Sequence, residues 1–327
     1  MSMLLDISIL VTCHNKLTFL DGFADQIKNL RHFSPEIIIV DDFSTDGSYE
    51  NLVELLKLYP EINLSQNQTN LGSAASRNLA IDKATREYIF FWDIDDHIDP
   101  SILSVMLQSI KIEKVDLCRG TFVEFESQKV LSQKVPDFTL IQTPIAQYYN
   151  ELANDMGYWR YLYSLAFLKR NRIVFFPTNS QLSRGTFILD DVFFMIQIAA
   201  SVGSLSLLPN SPPVYFYSTT EHSYSSWKRF QTQAQWFPRA SLLFLEQIQG
   251  NSSFDPKIVS ELLMKKCISH MRYLRLSNWL SSSLDFAILA RRLDSKKTFL
   301  QTLWLLTSTF NFALRNSVKA LTQIKDR

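Results

Sequence analysis

This 327-residue chain is poor in cysteine, has no glycine in the loop where a nucleotide fold most often needs it, and lacks any long apolar run. Its three cysteines, Cys13, Cys118 and Cys267, are far apart, odd in number and without zinc spacing. That pattern excludes a disulfide framework and points to a reducing cytoplasm. No uninterrupted apolar stretch reaches the ~18 residues of a membrane-spanning helix. The start, Met1 to Asp6, has neither a basic region nor a long apolar core, so it does not read as a secretion signal. A net charge of +1 argues against a nucleic-acid coat. Internal repeats and low-complexity tracts are also missing. At 46% hydrophobic residues the chain can bury a sizeable core. Its length suits one large domain with an appendage, or two domains.

Charge is unevenly placed. From Glu261 to Arg327 there are 12 basic and 4 acidic residues, a local +8 in a chain of net +1, which leaves −7 for everything before it. An acidic body with a basic tail implies an anionic partner for the tail. Phe299, Leu303, Leu306, Phe310 and Leu314 share one helical face, followed by Arg315 and Lys319. Such a helix suits an anionic membrane surface. Packing against the body, or against a second copy in a homodimer, is the competing reading.

The first hundred residues alternate strand and helix patterns. Strands are expected at Ile7–Val11, Glu36–Val40, Ile62–Leu64 and Tyr88–Trp92. Helices are expected at Leu17–Leu30, from Ser48 as cap to Leu58, and at Ser73–Lys83. This order implies a mostly parallel sheet flanked by helices. The polar clusters Thr12–Asn15, Asp41–Asp46 and Asp93–Asp96 then fall at strand carboxyl ends, where such sheets bind ligands. Phe90-Phe91-Trp92-Asp93-Ile94-Asp95-Asp96-His97 is the most telling stretch. A buried strand that ends in three acids is costly unless a cation neutralises them. Hard oxygen donors there suit Mg²⁺ or Mn²⁺. The bland alternative is a solvated acidic turn, with Asp99-Pro100 starting the next helix. Thr12-Cys13-His14-Asn15 contains no glycine, which disfavours a dehydrogenase or a nucleotidyltransferase.

Four motifs in order resemble family 2 glycosyltransferases of the GT-A fold. They are Ile9–Asn15, Ile39–Ser48, Asn70-Leu71-Gly72 leading to Ser76-Arg77-Asn78, and Asp93-Ile94-Asp95-Asp96. The segments Trp159–Phe176 and Pro213–Tyr217 are similar to bacterial surface-polysaccharide members. The resemblance implies an α/β, GT-A nucleotide-sugar-binding fold with a C-terminal helical extension. It divides the chain into a catalytic domain over residues 1–226 and a basic helical region over 227–327. The first comprises a nucleotide-binding half (1–110) and an acceptor half (111–226).

By the same resemblance, Thr12 and Asp42, with Asp41 as the alternate, hold the uracil of a UDP-sugar, and Asn15 belongs to the same nucleotide-sugar site. Arg77 lies near the base or the diphosphate. Asp93, Asp95 and Asp96 contact the ribose and the metal. Either Asp95 or Asp96 is the principal ligand of Mn²⁺ or Mg²⁺. Asp191 is the general base of an inverting transfer and Asp190 its orienter, although the family more often has Glu-Asp there. A helix N-terminus explains the same pair structurally. Tyr158 and Trp159 either stack on a sugar or pack in the core, and His222 with Ser223–Ser226 forms a lid. The implied acceptor is a lipooligosaccharide, capsule or related glycan or glycolipid. The implied place is the cytoplasm, at the inner face of a membrane contacted through residues 291–327. A subunit that binds sugar nucleotide or glycan without turnover is the non-enzymatic rival.

Overall fold

The computed structural model describes residues 5–126, 129–134, 157–176, 190–201, 203–208, 211–218, 236–271, 274 and 276–293. Runs of Ile, Val and Phe make strands buried on both faces. β1 (Ile7–Cys13), β2 (Glu36–Asp41), β3 (Asn63–Gln66) and β4 (Tyr88–Asp93) lie parallel in the spatial order β3-β2-β1-β4. They are joined by α1 (Leu20–Leu30), α2 (Ser48–Leu58) and α3 (Ser73–Lys83). The expected strands and helices are therefore present, with β1, β2 and β4 each running slightly further at the carboxyl end. Register sets Thr12 opposite both Val40 and Asp93, and Cys13 opposite Asp41. The polar strand exits thus share one edge.

Beyond β4, the chain forms β5 (His97–Ile98), β6 (Leu117–Arg119), β7 (Thr121–Glu126), β8 (Lys129–Lys134), β9 (Tyr161–Ser164), β10 (Leu205–Leu207) and β11 (Pro213–Ser218). β9 inserts antiparallel between β4 and β6, and β10 extends the main sheet to seven strands. β5, β11, β7 and β8 build a second sheet of four strands. Gly120 marks the passage from β6 to β7. A Cβ there would lie 2.5 Å from Val214 Cγ1 and 3.1 Å from Met106 Sδ. Gly120→Ala is therefore expected to cost about 1–3 kcal/mol through overpacking. Urea denaturation checks this, and an unchanged midpoint would refute it.

Two helix starts follow from local chemistry. Asp99 accepts from the N–H groups of Ser101 (2.8 Å) and Ile102 (3.4 Å), capping α4 (Pro100–Glu113). Gly47, at φ +93°, caps α2 in a conformation that costs glycine nothing. Ser48, expected as that cap, is instead the first helical residue. Its hydroxyl accepts from Lys16 N (2.9 Å) and pairs with Asp46 Oδ1 (2.6 Å).

The remaining helices among the described residues are α5 (Leu165–Asn171), α6 (Asp190–Ser201), α7 (Phe237–Ile248), α8 (Pro256–Met271) and α9 (Leu276–Leu293). α6 is buried from Val192 to Ala200, which explains its nearly continuous apolar sequence. Phe193 on α6 stacks on Phe237 (5.3 Å, 7°), and Phe237 stacks on His270 (4.3 Å, 3°). Desolvation pushes His270 down to about 4, so the ring is neutral in this apolar setting. One hydrophobic core runs from the sheet into α7, α8 and α9. The expected division at 226/227, the lid around His222 and the tail helix from Phe299 lie outside the described residues. The 110/111 division falls within α4. No described helix is long and apolar enough to cross a membrane.

Candidate active site

Three loops meet at the exits of β1, β2 and β3. Asn15 adopts φ +52°, a left-handed conformation that asparagine tolerates. Its N–H donates to Ser44 Oγ (2.9 Å), and its Oδ1 accepts from Thr45 N (2.8 Å). His14 Nδ1 lies 2.8 Å from the carbonyl of Asp42. A carbonyl only accepts, so Nδ1 carries the proton and Nε2 accepts from Asn70 Nδ2 at 3.0 Å. Thr12 is half-buried beside them.

The two acids at the exit of β2, Asp41 and Asp42, are buried and hydrogen-bonded. Asp41 accepts from Ser44 N (3.0 Å), Ser44 Oγ (2.5 Å) and Gln66 Nε2 (3.0 Å). Asp42 accepts from Asn67 Nδ2 (2.8 Å), Leu71 N (2.8 Å) and Gly72 N (2.7 Å). Gly72 holds φ +89° at the start of α3. Asp42 therefore fixes the turn that aims α3 and Arg77. Three donors on a carboxylate with about four acceptor positions leave one for a ligand.

At the exit of β4 the three acids separate. Asp96 is buried, with Oδ2 accepting from Tyr215 Oη (2.7 Å) and Oδ1 from Ser218 N (2.7 Å). Burial first, then the charges of Asp93 and Asp95, push its carboxyl well above the usual range. Asp96 was expected as a metal ligand beside Asp95. In the structure it ties β11 to β4 through these two hydrogen bonds. Asp93 and Asp95 remain partly exposed, at 29% and 21% of the side chain. Burial raises the Asp93 carboxyl, Arg77 offsets that, and Asp95 adds to it. Asp95 pairs with Lys16 Nζ at 2.5 Å.

Arg77, expected near the base or the diphosphate, reaches between the acids of β4 and α6. Its NH1 donates to Asp190 Oδ2 (2.9 Å), and its NH2 is 3.6 Å from Asp93 Oδ1. The guanidinium packs over the rings of Tyr158 (4.8 Å) and Phe175 (5.3 Å). Those rings belong to a cluster around Phe91, which meets Tyr158, Tyr163, Phe175 and Phe194 edge to face. Trp159 is buried against Tyr215 (4.2 Å) and Tyr217 (5.4 Å). Tyr158 and Trp159 are thus core residues rather than a sugar platform.

Asp190 and Asp191 open α6, where its dipole favours acids. Asp190 also accepts from Ser73 Oγ (3.1 Å). Asp191 Oδ1 accepts from Val192 N (2.8 Å). Desolvation, then the adjacent Asp190, push the Asp191 carboxyl up to about 7. Arg77, and Lys266 from α8, pull the other way. An acid poised near neutrality suits proton abstraction.

Asp93, Asp95, Arg77, Asp190 and Asp191 thus converge, while Thr12, Asn15, Asp41 and Asp42 form the adjoining loop cluster. The sequence reading missed Lys16 and His14. Their signal was position alone, inside and directly behind the Thr12–Asn15 motif. It also missed Lys266, which nothing local marks. Mg²⁺ and Mn²⁺ sites that serve phosphates need only one or two carboxylates. Asp95 with Asp93 fits that requirement. Among the described residues no group of three or more His, Cys, Asp or Glu is arranged to hold an ion.

Known proteins resemble this chain in sequence and in fold. The chain is 24% identical over 225 residues to a cholesterol galactosyltransferase of Borreliella burgdorferi, covering 65% of this chain and 59% of that protein. It is 28% identical over 218 residues to the putative glycosyltransferase EpsH of Bacillus subtilis, covering 64% and 60%. It therefore spans about 60% of the length of these curated relatives. The crystal structure of S. aureus TarS 1–349 with UDP-GlcNAc superposes with a TM-score of 0.65 at 19% identity, over 96% of this chain and 89% of that one. A Pyrobaculum calidifontis mannosyltransferase in complex with GDP-Man and Mn²⁺ gives 0.53 at 15% identity, over 98% and 84%. These likenesses give the GT-A fold. The model of the family described as glycosyl transferase family 2 matches residues 8–189, more than half of the chain, and the chain belongs to that family.

Proposed function

We propose that this protein transfers a hexosyl or N-acetylhexosaminyl group from a UDP-sugar to a hydroxyl of a bacterial surface glycan or glycolipid, with inversion at the anomeric carbon. The observation that carries the proposal is the Arg77 bridge, which joins Asp93 at the strand exit to Asp190 beside Asp191. Donor side and proton-accepting side are thereby one site. TarS supports the donor class through its UDP-GlcNAc complex. The cholesterol galactosyltransferase supports a lipid-linked acceptor by its name.

In this reading the uracil sits at Thr12, Asn15 and Asp42, whose remaining acceptor position faces a ring N–H. Asp95 and Asp93 would hold Mn²⁺ or Mg²⁺, which when bound stabilises the charge developing on the departing diphosphate. Asp191 takes the proton of the acceptor hydroxyl. That oxygen bonds the anomeric carbon from the face opposite the diphosphate, the carbon–oxygen bond to phosphate breaks, and UDP leaves. Asp190, fixed by Arg77 and Ser73, raises the basicity of Asp191 by its charge. Peripheral membrane contact through residues 291–327 and a homodimer belong to the same proposal.

The test is UDP release from several UDP-sugars with Mn²⁺. Release is expected from at least one sugar, and Asp95→Ala is expected to lower it about 10²-fold or more, the scale of losing an electrostatic stabiliser. UDP affinity without turnover on any sugar would instead favour the non-catalytic binding subunit.

A further inference from the structure

Lys16 pairs with Asp95, one of the two proposed metal ligands. Its ammonium contacts Asp95 Oδ2 at 2.5 Å, with only 27% and 21% of the two side chains exposed. The ammonium also stands 5.2 Å from the centre of the Phe19 ring. Burial pulls Lys16 down, but Asp95, Asp93 and Asp96 together hold it above its ordinary value. The backbone around it is pinned. Lys16 N donates to Ser48 Oγ (2.9 Å), and Leu17 N donates to Asp46 Oδ2 (3.1 Å). Only the four-carbon stem is free to swing.

A cation on a carboxylate competes with any other cation for it. A donor-bound divalent ion on Asp95 would displace the ammonium into a half-buried, strongly anionic mouth. The diphosphate of the donor is then the nearest new source of negative charge. We propose that Lys16 is an exchange cation. It neutralises Asp95 in the donor-free protein and moves to the diphosphate when a metal–donor complex takes Asp95. The inference rests on the sugar-nucleotide reading. Its consequence is a linkage in which the empty site resists free metal, while metal and nucleotide together bind tightly.

Lys16→Met has opposite effects on two titrations of the full-length protein. Without nucleotide, Mn²⁺ alone, followed by electron paramagnetic resonance, binds about tenfold tighter, because the Lys-paired state no longer withdraws Asp95. At saturating Mn²⁺, UDP followed by calorimetry binds about tenfold weaker, the loss of one charge-assisted hydrogen bond. Lys16→Arg keeps the charge and follows the wild type in both. Lys16→Gln repeats the titrations should the methionine variant be unfolded. Mn²⁺ affinity that is unchanged or weaker in the neutral variants, or UDP affinity that is unchanged, overturns the exchange and leaves the donor assignment standing. A wild-type protein that binds neither UDP nor UDP-sugars with Mn²⁺ overturns the donor assignment itself.

Discussion

Asp191→Asn is expected to lower turnover about 10²–10⁴-fold, the usual contribution of a positioned general base, while UDP binds as before. The substitution is nearly isosteric. The Oδ1 that accepts from Val192 N (2.8 Å) is retained, so the start of α6 is preserved. What disappears is the ability to take a proton. Wild-type kcat/KM should climb with pH along a limb centred near 7, since Asp191 is pushed up to about 7 by desolvation and Asp190. The residual activity of the variant should lack that limb. Stability should move oppositely. A carboxyl whose folded value lies above its unfolded one binds more protons in the native state, so ionising it weakens the fold as pH rises from about 4 to 7. Asp191→Asn removes that penalty. Its melting temperature should match wild type near pH 4 and exceed it at pH 8. Undiminished turnover would remove Asp191 from the base role. An unchanged melting temperature at pH 8 would show that the carboxyl is not perturbed.

The parts of this site that local sequence could reveal are those set by strand period and strand exit. Ile7–Val11, Glu36–Val40 and Tyr88–Trp92 are apolar on both faces, which only a sheet covered on both sides accommodates, and acids just beyond them can only lie at its edge. α3 matches its expected bounds because Gly72 and Lys83 punctuate it. Long-range choices were invisible. β9 joins β4 antiparallel, with Tyr88 opposite Ser164, and four residues carry no pattern that names a partner so distant. Asp96 and Asp95 look equivalent in a row of acids. Tyr215 and Ser218, over a hundred residues later, single out Asp96 as the acid that holds β11. Tyr158 and Trp159 suit a sugar face or a core equally well until Phe91, Tyr215 and Tyr217 surround them. A lysine behind a strand reads as a surface cation, and nothing near Lys16 announces Asp95.

Arg77→Met should destabilise the protein by about 3–5 kcal/mol, the cost of removing one partner from a buried ion pair. Only 12% of the Arg77 side chain is exposed, and its guanidinium serves both Asp190 and Asp93 while lying on Tyr158 and Phe175. Methionine keeps the stem and much of the ring contact, so the loss isolates charge from packing. Without the guanidinium, Asp93, Asp95, Asp190 and Asp191 face one another with Lys16 and Lys266 as the remaining cations whose charges act on them. Burial already raises Asp93, and Arg77 is its leading offset, so its carboxyl should rise further. Asp191 should rise as well, because Arg77 opposes its shift. Native-state acids with raised values are tolerated when protonated and costly when ionised. The deficit of Arg77→Met should therefore be larger at pH 8 than at pH 5, as read by urea denaturation at both. Arg77→Lys restores one charge but cannot span two carboxylates or lie flat on the rings, and should recover only part of the loss. An equal deficit at the two pH values would mean that Arg77 contributes by packing alone, and the electrostatic link between the strand exit and the α6 acids would have to be abandoned.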